Sequence, residues 1–149
     1  NPKLPGAKKE AMKVLMTRPA SMEEDVLVEH GMKLSRTIGS PAYPAEEDRL
    51  RTRVRETVRR SVYPEGPTRH LSAIVADGDR RSMLKDVTVP TLVLHGEDDP
   101  LVPVEGGRDT AASIPGAHIK TYPGWGHDLP MELVESIAND IASHAKAHD

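Results

Sequence analysis

The chain has 149 residues and a formal net charge of −3, with 37% hydrophobic, 29% charged and only 3% aromatic residues, a balance that excludes a membrane-embedded protein and a wholly disordered one. Thirteen prolines and eleven glycines exclude a long coiled coil, and without phenylalanine the core has to be assembled from Val, Leu, Ile, Met and Ala. The lack of cysteine removes disulfides, thiolate catalysis and cysteine-ligated metals, and suits a reducing cytoplasm.

Charge is unevenly divided. Residues 1–87 carry 17 Lys and Arg against 13 Asp and Glu, whereas residues 88–149 carry 3 against 10. The arginines of the first part are interleaved with acids and accompany no groove-reading motif, so neither nucleic acid nor membrane is expected as a partner.

The first part reads as helices broken by Pro and Gly. Ala11, Met12, Val14, Leu15 and Met16 give a helix over 8–17. The capping-box pattern Ser21-Met22-Glu23-Glu24 predicts a second helix that carries Leu27, Leu34 and Ile38 on one face and stops at Gly39. Pro41-Ala42-Tyr43-Pro44 forces an extended connector. Leu50, Val54, Val58 and Val62 then recur every four residues on a third helix. Its other faces present arginines, read as a solvated surface with Glu47–Arg51 and Glu56–Arg60 pairs. Leu71, Ile74 and Val75 mark a fourth helix, followed by the turn Asp77-Gly78-Asp79 and a short segment to Leu84. Met12, Met16, Met22, Met32 and Met83 are expected to pack, with an adaptable pocket lining as the second reading.

Past Asp86 the pattern becomes strand, helix, strand, helix. Thr91–Leu94, bounded by Pro90 and Gly96, suits a strand covered on both faces of a parallel sheet, and 118–122 supplies a second strand. Between them a helix is expected over 108–114. From Leu129 onward, Leu129, Leu133, Ile137 and Ile141 define the last helix. Two parallel strands make no stable sheet by themselves, so further strands from outside residues 1–149 are expected to complete it.

In parallel α/β sheets chemistry lies on the loops beyond the carboxyl ends of the strands. Here those loops are His95-Gly96-Glu97-Asp98-Asp99-Pro100-Leu101-Val102-Pro103 and Pro123-Gly124-Trp125-Gly126-His127-Asp128-Leu129-Pro130. An acid on one and a histidine on the next can supply the orienting and proton-transferring members of a nucleophile-histidine-acid triad. Asp99, held extended by Pro100, and His127 are the candidates. Glu97 and Asp98 read as surface acids of the turn and His95 as a hydrogen-bonded structural residue. His30, His70 and His118 read as surface or packing residues, and His144 and His148 as members of a polar tail. Among His95, Asp98, Asp99 and His127 no H-x-x-x-H or H-x-H spacing supports a metal, and none is expected.

His-Gly-x-x-Asp-Pro-Leu-Val-Pro, then Gly-x-Gly-His with its histidine 28 residues beyond Asp99, resembles the C-terminal half of an α/β-hydrolase over residues 81–149. Val89–Gly96, Ile114-Pro115-Gly116-Ala117 and Gly126-His127-Asp128-Leu129-Pro130 resemble its aclacinomycin methylesterase-like branch. The resemblance implies an α/β fold in which residues 1–80 are a helical cap (lid) and 81–149 the C-terminal part of the core. It also implies Asp99 and His127 as triad acid and histidine, a small-molecule ester substrate and no cofactor. Trp125, at a position where this branch often has a smaller residue, is with Leu101 and Val102 a candidate wall of the substrate pocket.

No Gly-x-Ser-x-Gly elbow occurs, since Gly39-Ser40 is followed by Pro41. The nucleophile and oxyanion hole are therefore expected in an N-terminal half, either on a separate chain or outside this sequence, and the 149 residues alone are expected to be inactive. An α/β-hydrolase with an Asp nucleophile, such as a dehalogenase or epoxide hydrolase, and a non-catalytic binding subunit of the same fold are the alternatives.

Overall fold

A computed structural model describes residues 3–148. Helices α1 (Lys9–Met16), α2 (Glu24–Ile38), α3 (Glu47–Arg60) and α4 (Gly66–Asp77) come first. The short α5 (Arg81–Leu84) leads into β1 (Leu92–Gly96), α6 (Val104–Ser113), β2 (His118–Tyr122) and α7 (Met131–Lys146).

The four-residue periodicity of α3 does what it predicts up to Val58. Leu50 and Val54 are buried against Val28 and Met32 of α2, with Val58 beside them. Each such burial contributes about 1.5–3 kcal/mol. Val62 is not part of the stripe, because the helix ends at Arg60 with Ser61 as its extended cap. On α2 the deepest residues are Val28 and Met32, while Leu34 and Ile38, expected on the packed face, are only half-buried.

The cap expected at the start of the second helix is corrected. The hydroxyl of Ser21 accepts from the Glu23 amide at 3.3 Å, a local turn that competes with capping, so α2 begins at Glu24 with no side-chain cap. The cap that does form is at α3, where the Glu46 carboxylate accepts from the Asp48 and Arg49 amides at 2.9 and 2.8 Å. Those bonds hold its carboxyl below the usual carboxylate range.

Nor is the arginine face of α3 simply solvated. Arg55 reaches Glu24 at 2.7 Å and Asp25 at 3.0 Å, Arg59 also holds Glu24, Arg51 pairs with Glu29, and Arg36 of α2 pairs with Glu47. The hydrogen bond from Arg59, then that from Arg55, lowers the Glu24 pKa. Acids of α2 therefore meet arginines of α3 along a rim above the apolar seam. Helix α4 buries no residue; Ile74 and Val75 are 67% and 73% exposed. Met32 is fully buried and Met12 half-buried, whereas Met16, Met22 and Met83 are exposed, against the packing expected of them.

Strands β1 and β2 pair in parallel, Leu92 opposite His118 and Gly96 opposite Tyr122, with α6 as the crossover between them. Leu92, Val93 and Leu94 are half-buried rather than covered on both faces, because β2 is the one strand beside β1 among the described residues. Helix α6 starts at Val104, earlier than expected, because consecutive Gly106 and Gly107 weaken the helical signal that tertiary packing supplies. Helix α7 starts at Met131, because the residue before Pro130 is kept out of helical conformation. Leu129 is accordingly exposed, as is Ile141, while Leu133 and Ile137 are buried against Tyr122.

Tyr43, from the connector between α2 and α3, also packs on this second core. Lys8 donates its amide to the Pro100 carbonyl at 2.7 Å and Ala42 to that of Gly124 at 3.2 Å. The helical part is thus tied to both strand-end loops. Among the described residues, no helix is long and apolar enough to cross a membrane.

Candidate active site

The chain leaves β1 at Gly96, and the β1 and β2 loops run side by side. The Glu97 amide donates to the Tyr122 carbonyl at 3.0 Å and the Asp98 amide to that of Trp125 at 3.1 Å. These bonds continue the strand pairing into the loops and place Asp99 opposite His127.

The Asp99 carboxylate divides its two oxygens. Oδ1 accepts from the amides of Leu101 and Val102, both at 2.8 Å. Oδ2 lies 2.8 Å from Nδ1 of His127. Its side chain is 8% exposed, whereas that of His127 is 39% exposed. A buried carboxylate held by two amides is satisfied and fixed, and an imidazole nitrogen facing a carboxylate carries the proton. Nε2 is therefore the lone-pair nitrogen of the neutral ring; it has no partner among the described residues.

The backbone around His127 is held from the helical part. The His127 amide donates to the Ile38 carbonyl at 2.7 Å, and the Gly126 amide to the Ser40 hydroxyl at 3.0 Å. The same hydroxyl donates to the Asp128 carboxylate. Ser40 and Asp128 thus hold the histidine loop, and neither was singled out by the sequence. Asp128 at least stood inside the Gly-His-Asp string, while a lone serine in a Gly-Ser-Pro connector carries no signal for partners 86 and 88 residues away.

The neighbouring acids are braces. Asp98 Oδ2 accepts from the Gly124 amide at 2.8 Å and Glu97 accepts from the Thr121 hydroxyl at 2.6 Å, so they are exposed but not idle. His95 sets Nε2 2.8 Å from the Val102 carbonyl, and His144 sets Nε2 3.3 Å from that of Pro90. Leu101 and Val102 meet Asp99 through their amides. The Val102 side chain lines a hollow with Val93, His95 and Gly106 that does not include His127. Trp125 lies edge-on to Tyr122 at 5.5 Å, and its indole donates to the Asp128 carbonyl. The structure thus brings Asp99 and His127 together. Among the described residues, no three His, Asp or Glu side chains converge as a metal site.

A parallel strand-helix-strand-helix unit with an acid-histidine pair on consecutive strand-end loops is the C-terminal part of an α/β-hydrolase fold. The family described as serine aminopeptidase, S33, matches residues 72–134. The chain is 27% identical over 136 residues to a rhodomycin D methylesterase of Streptomyces peucetius, covering 91% of this chain and 45% of that protein. It is 35% identical over 85 residues to a bifunctional esterase/perhydrolase of Acinetobacter calcoaceticus, covering 55% and 31%. An esterase structure from Exiguobacterium antarcticum superposes with a TM-score of 0.62 at 22% identity, over 83% of this chain and 47% of that one. The chain has the fold of the C-terminal part of an α/β-hydrolase and is similar to members of that family. It spans less than half the length of each of these relatives.

Proposed function

We propose that these residues belong to a serine hydrolase that cleaves small-molecule carboxylic esters, with His127 as general base and acid and Asp99 as the carboxylate that orients it. The observation that carries this reading is the 2.8 Å contact between His127 Nδ1 and a buried Asp99 already held by two amides, which leaves Nε2 to move the proton. Esterase relatives, one a methylesterase matching 91% of the chain, support an ester as substrate.

In this reading a serine on a strand-to-helix turn, outside the 149 residues, attacks the ester carbonyl while His127 Nε2 takes its proton. Collapse of the tetrahedral intermediate expels the alcohol, which receives that proton from His127. Water then attacks the acyl-enzyme by the same route, giving the acid and restoring the serine. Asp99 stabilises the imidazolium at each proton transfer. The nucleophile-bearing half completes the sheet along the half-buried β1, residues 1–80 act as its cap, no cofactor takes part, and the 149 residues alone are inactive. A chain without cysteine suits the cytoplasm.

The test is turnover of p-nitrophenyl acyl esters and methyl esters by the complete protein. Turnover that titrates with a serine-directed phosphonate and is lost in His127→Ala supports the reading, and full activity in His127→Ala overturns it.

A further inference from the structure

We propose that Ser40 is a positioning residue for His127, its hydroxyl clasping the histidine loop from the helical part by accepting from Gly126 and donating to Asp128. The proposal rests on the catalytic reading of His127.

Three consecutive residues of that loop are held by residues 38–40. Gly126 donates to Ser40 Oγ at 3.0 Å, His127 donates to the Ile38 carbonyl at 2.7 Å, and Asp128 accepts from Ser40. Ser40 is 4% exposed, one of two buried polar side chains among the described residues; the other is Asp99. A hydroxyl has one proton and two lone pairs. An ionised Asp128 only accepts, so the Ser40 proton goes there and a lone pair remains for Gly126. The hydroxyl therefore uses both of its capacities on residues flanking His127. The approach is close enough that a Cβ on Gly126 would lie 2.8 Å from the Ile38 carbonyl oxygen and nearer still to that of Gly39.

The consequence is mechanical. Asp99 fixes the ring at Nδ1, but one hydrogen bond leaves the imidazole free to swing about that contact unless its backbone is also held. The clasp supplies that second constraint, and it comes from the connector after α2, so a displacement of the helices is felt at Nε2.

The experiment compares Ser40→Ala, Asp128→Ala, Asp128→Asn and the double Ala variant in the complete hydrolase. Misplacing a catalytic group by about 1 Å costs on the order of 10²-fold. Ser40→Ala is expected to lower kcat by roughly that factor while KM stays within about twofold. The double variant is expected to be no worse than the poorer single, and Asp128→Asn, which keeps an oxygen acceptor, to lose less than Asp128→Ala. Independently of turnover, NMR of Ser40→Ala should show the His127 Nδ1 proton signal broadened and the Gly126 amide exchanging faster in a protein that remains folded. If the complete protein hydrolyses no ester, the NMR arm alone decides; should Ser40→Ala not fold, the two Asp128 variants decide. Unchanged kcat with an unchanged Nδ1 signal, or strictly additive losses in the double variant, overturns the proposal.

Discussion

Gly96 and Trp125 leave no room between them: a Cβ on Gly96 would stand 2.8 Å from the Trp125 carbonyl carbon and closer still to its oxygen. Backbone cannot retreat as a flexible side chain would, so Gly96→Ala must push the β1 loop off the β2 loop. Overpacking of this kind costs about 1–3 kcal/mol, and the displaced loops are those that carry Asp99 and His127. The expected outcome is a lower melting temperature together with lost turnover in the complete protein. A variant as stable and as active as the parent would show that the loops part without cost.

Asp99→Asn and His127→Ala separate orientation from proton transfer. An amide at position 99 can offer its NH2 to Nδ1 and favour the wrong tautomer, and it provides no charge to balance an imidazolium. Both variants are expected to lower kcat by about 10⁴-fold. Circular dichroism and melting temperature check that the fold survives. For Asp99→Asn only a small loss of stability is expected, since with its NH2 toward Nδ1 the amide oxygen still accepts from the Leu101 and Val102 amides.

What could be read in the sequence was what sequence neighbours decide. The apolar run at Leu92–Leu94, the four-residue stripe of Leu50, Val54 and Val58, and the Asp-Pro and Gly-His strings all declare themselves within a few positions. The contact between Asp99 and His127 followed because a parallel pair puts both strand ends at one edge. The clasp by Ser40 could not be read, because its partners lie in a loop more than 80 residues away and a buried hydroxyl leaves no periodic trace. The ends of helices misled for a related reason: Ser21 had the pattern of a cap but spent its hydroxyl on its own turn. Ile74 and Val75 marked a helix by their spacing, which does not say what covers them, and both are exposed.

Asp98 offers a graded comparison. Its Oδ2 accepts from the Gly124 amide at 2.8 Å, a bond that needs an oxygen but not a charge. Asp98→Asn is expected to keep nearly full activity, whereas Asp98→Ala leaves that amide without its partner and loosens the turn before His127. A melting-temperature loss for Ala larger than for Asn checks this; equal losses would mean that the charge, not the bond, matters.

The last expectation concerns pH and helix α7. The Asp140 carboxylate accepts from Lys120 Nζ at 2.7 Å and from the Tyr122 hydroxyl, tying α7 to β2 beside the buried Leu133 and Ile137. The bond from Lys120, then that from Tyr122, lowers the Asp140 pKa. Its contribution is therefore present above the unfolded-state value of ~3.9 and is lost as pH falls below it toward the folded value. At the other end, burial first and then the Asp140 bond raise the pKa of Tyr122, and the Asp140 bond raises that of Lys120. Both favour the protonated form in the folded state. Their contribution is full below the unfolded-state values of ~10 and is lost as pH rises past them. Denaturation midpoints measured across pH should show a plateau between the carboxylate and phenol ranges with a fall on each side. Asp140→Asn should flatten the acid side by removing its titrating group, and added salt should weaken the Lys120 part because that ammonium is half-exposed. An acid limb of undiminished steepness in Asp140→Asn would place the titrating group elsewhere, with Asp79, Glu24 and Glu46, also lowered, the next to substitute.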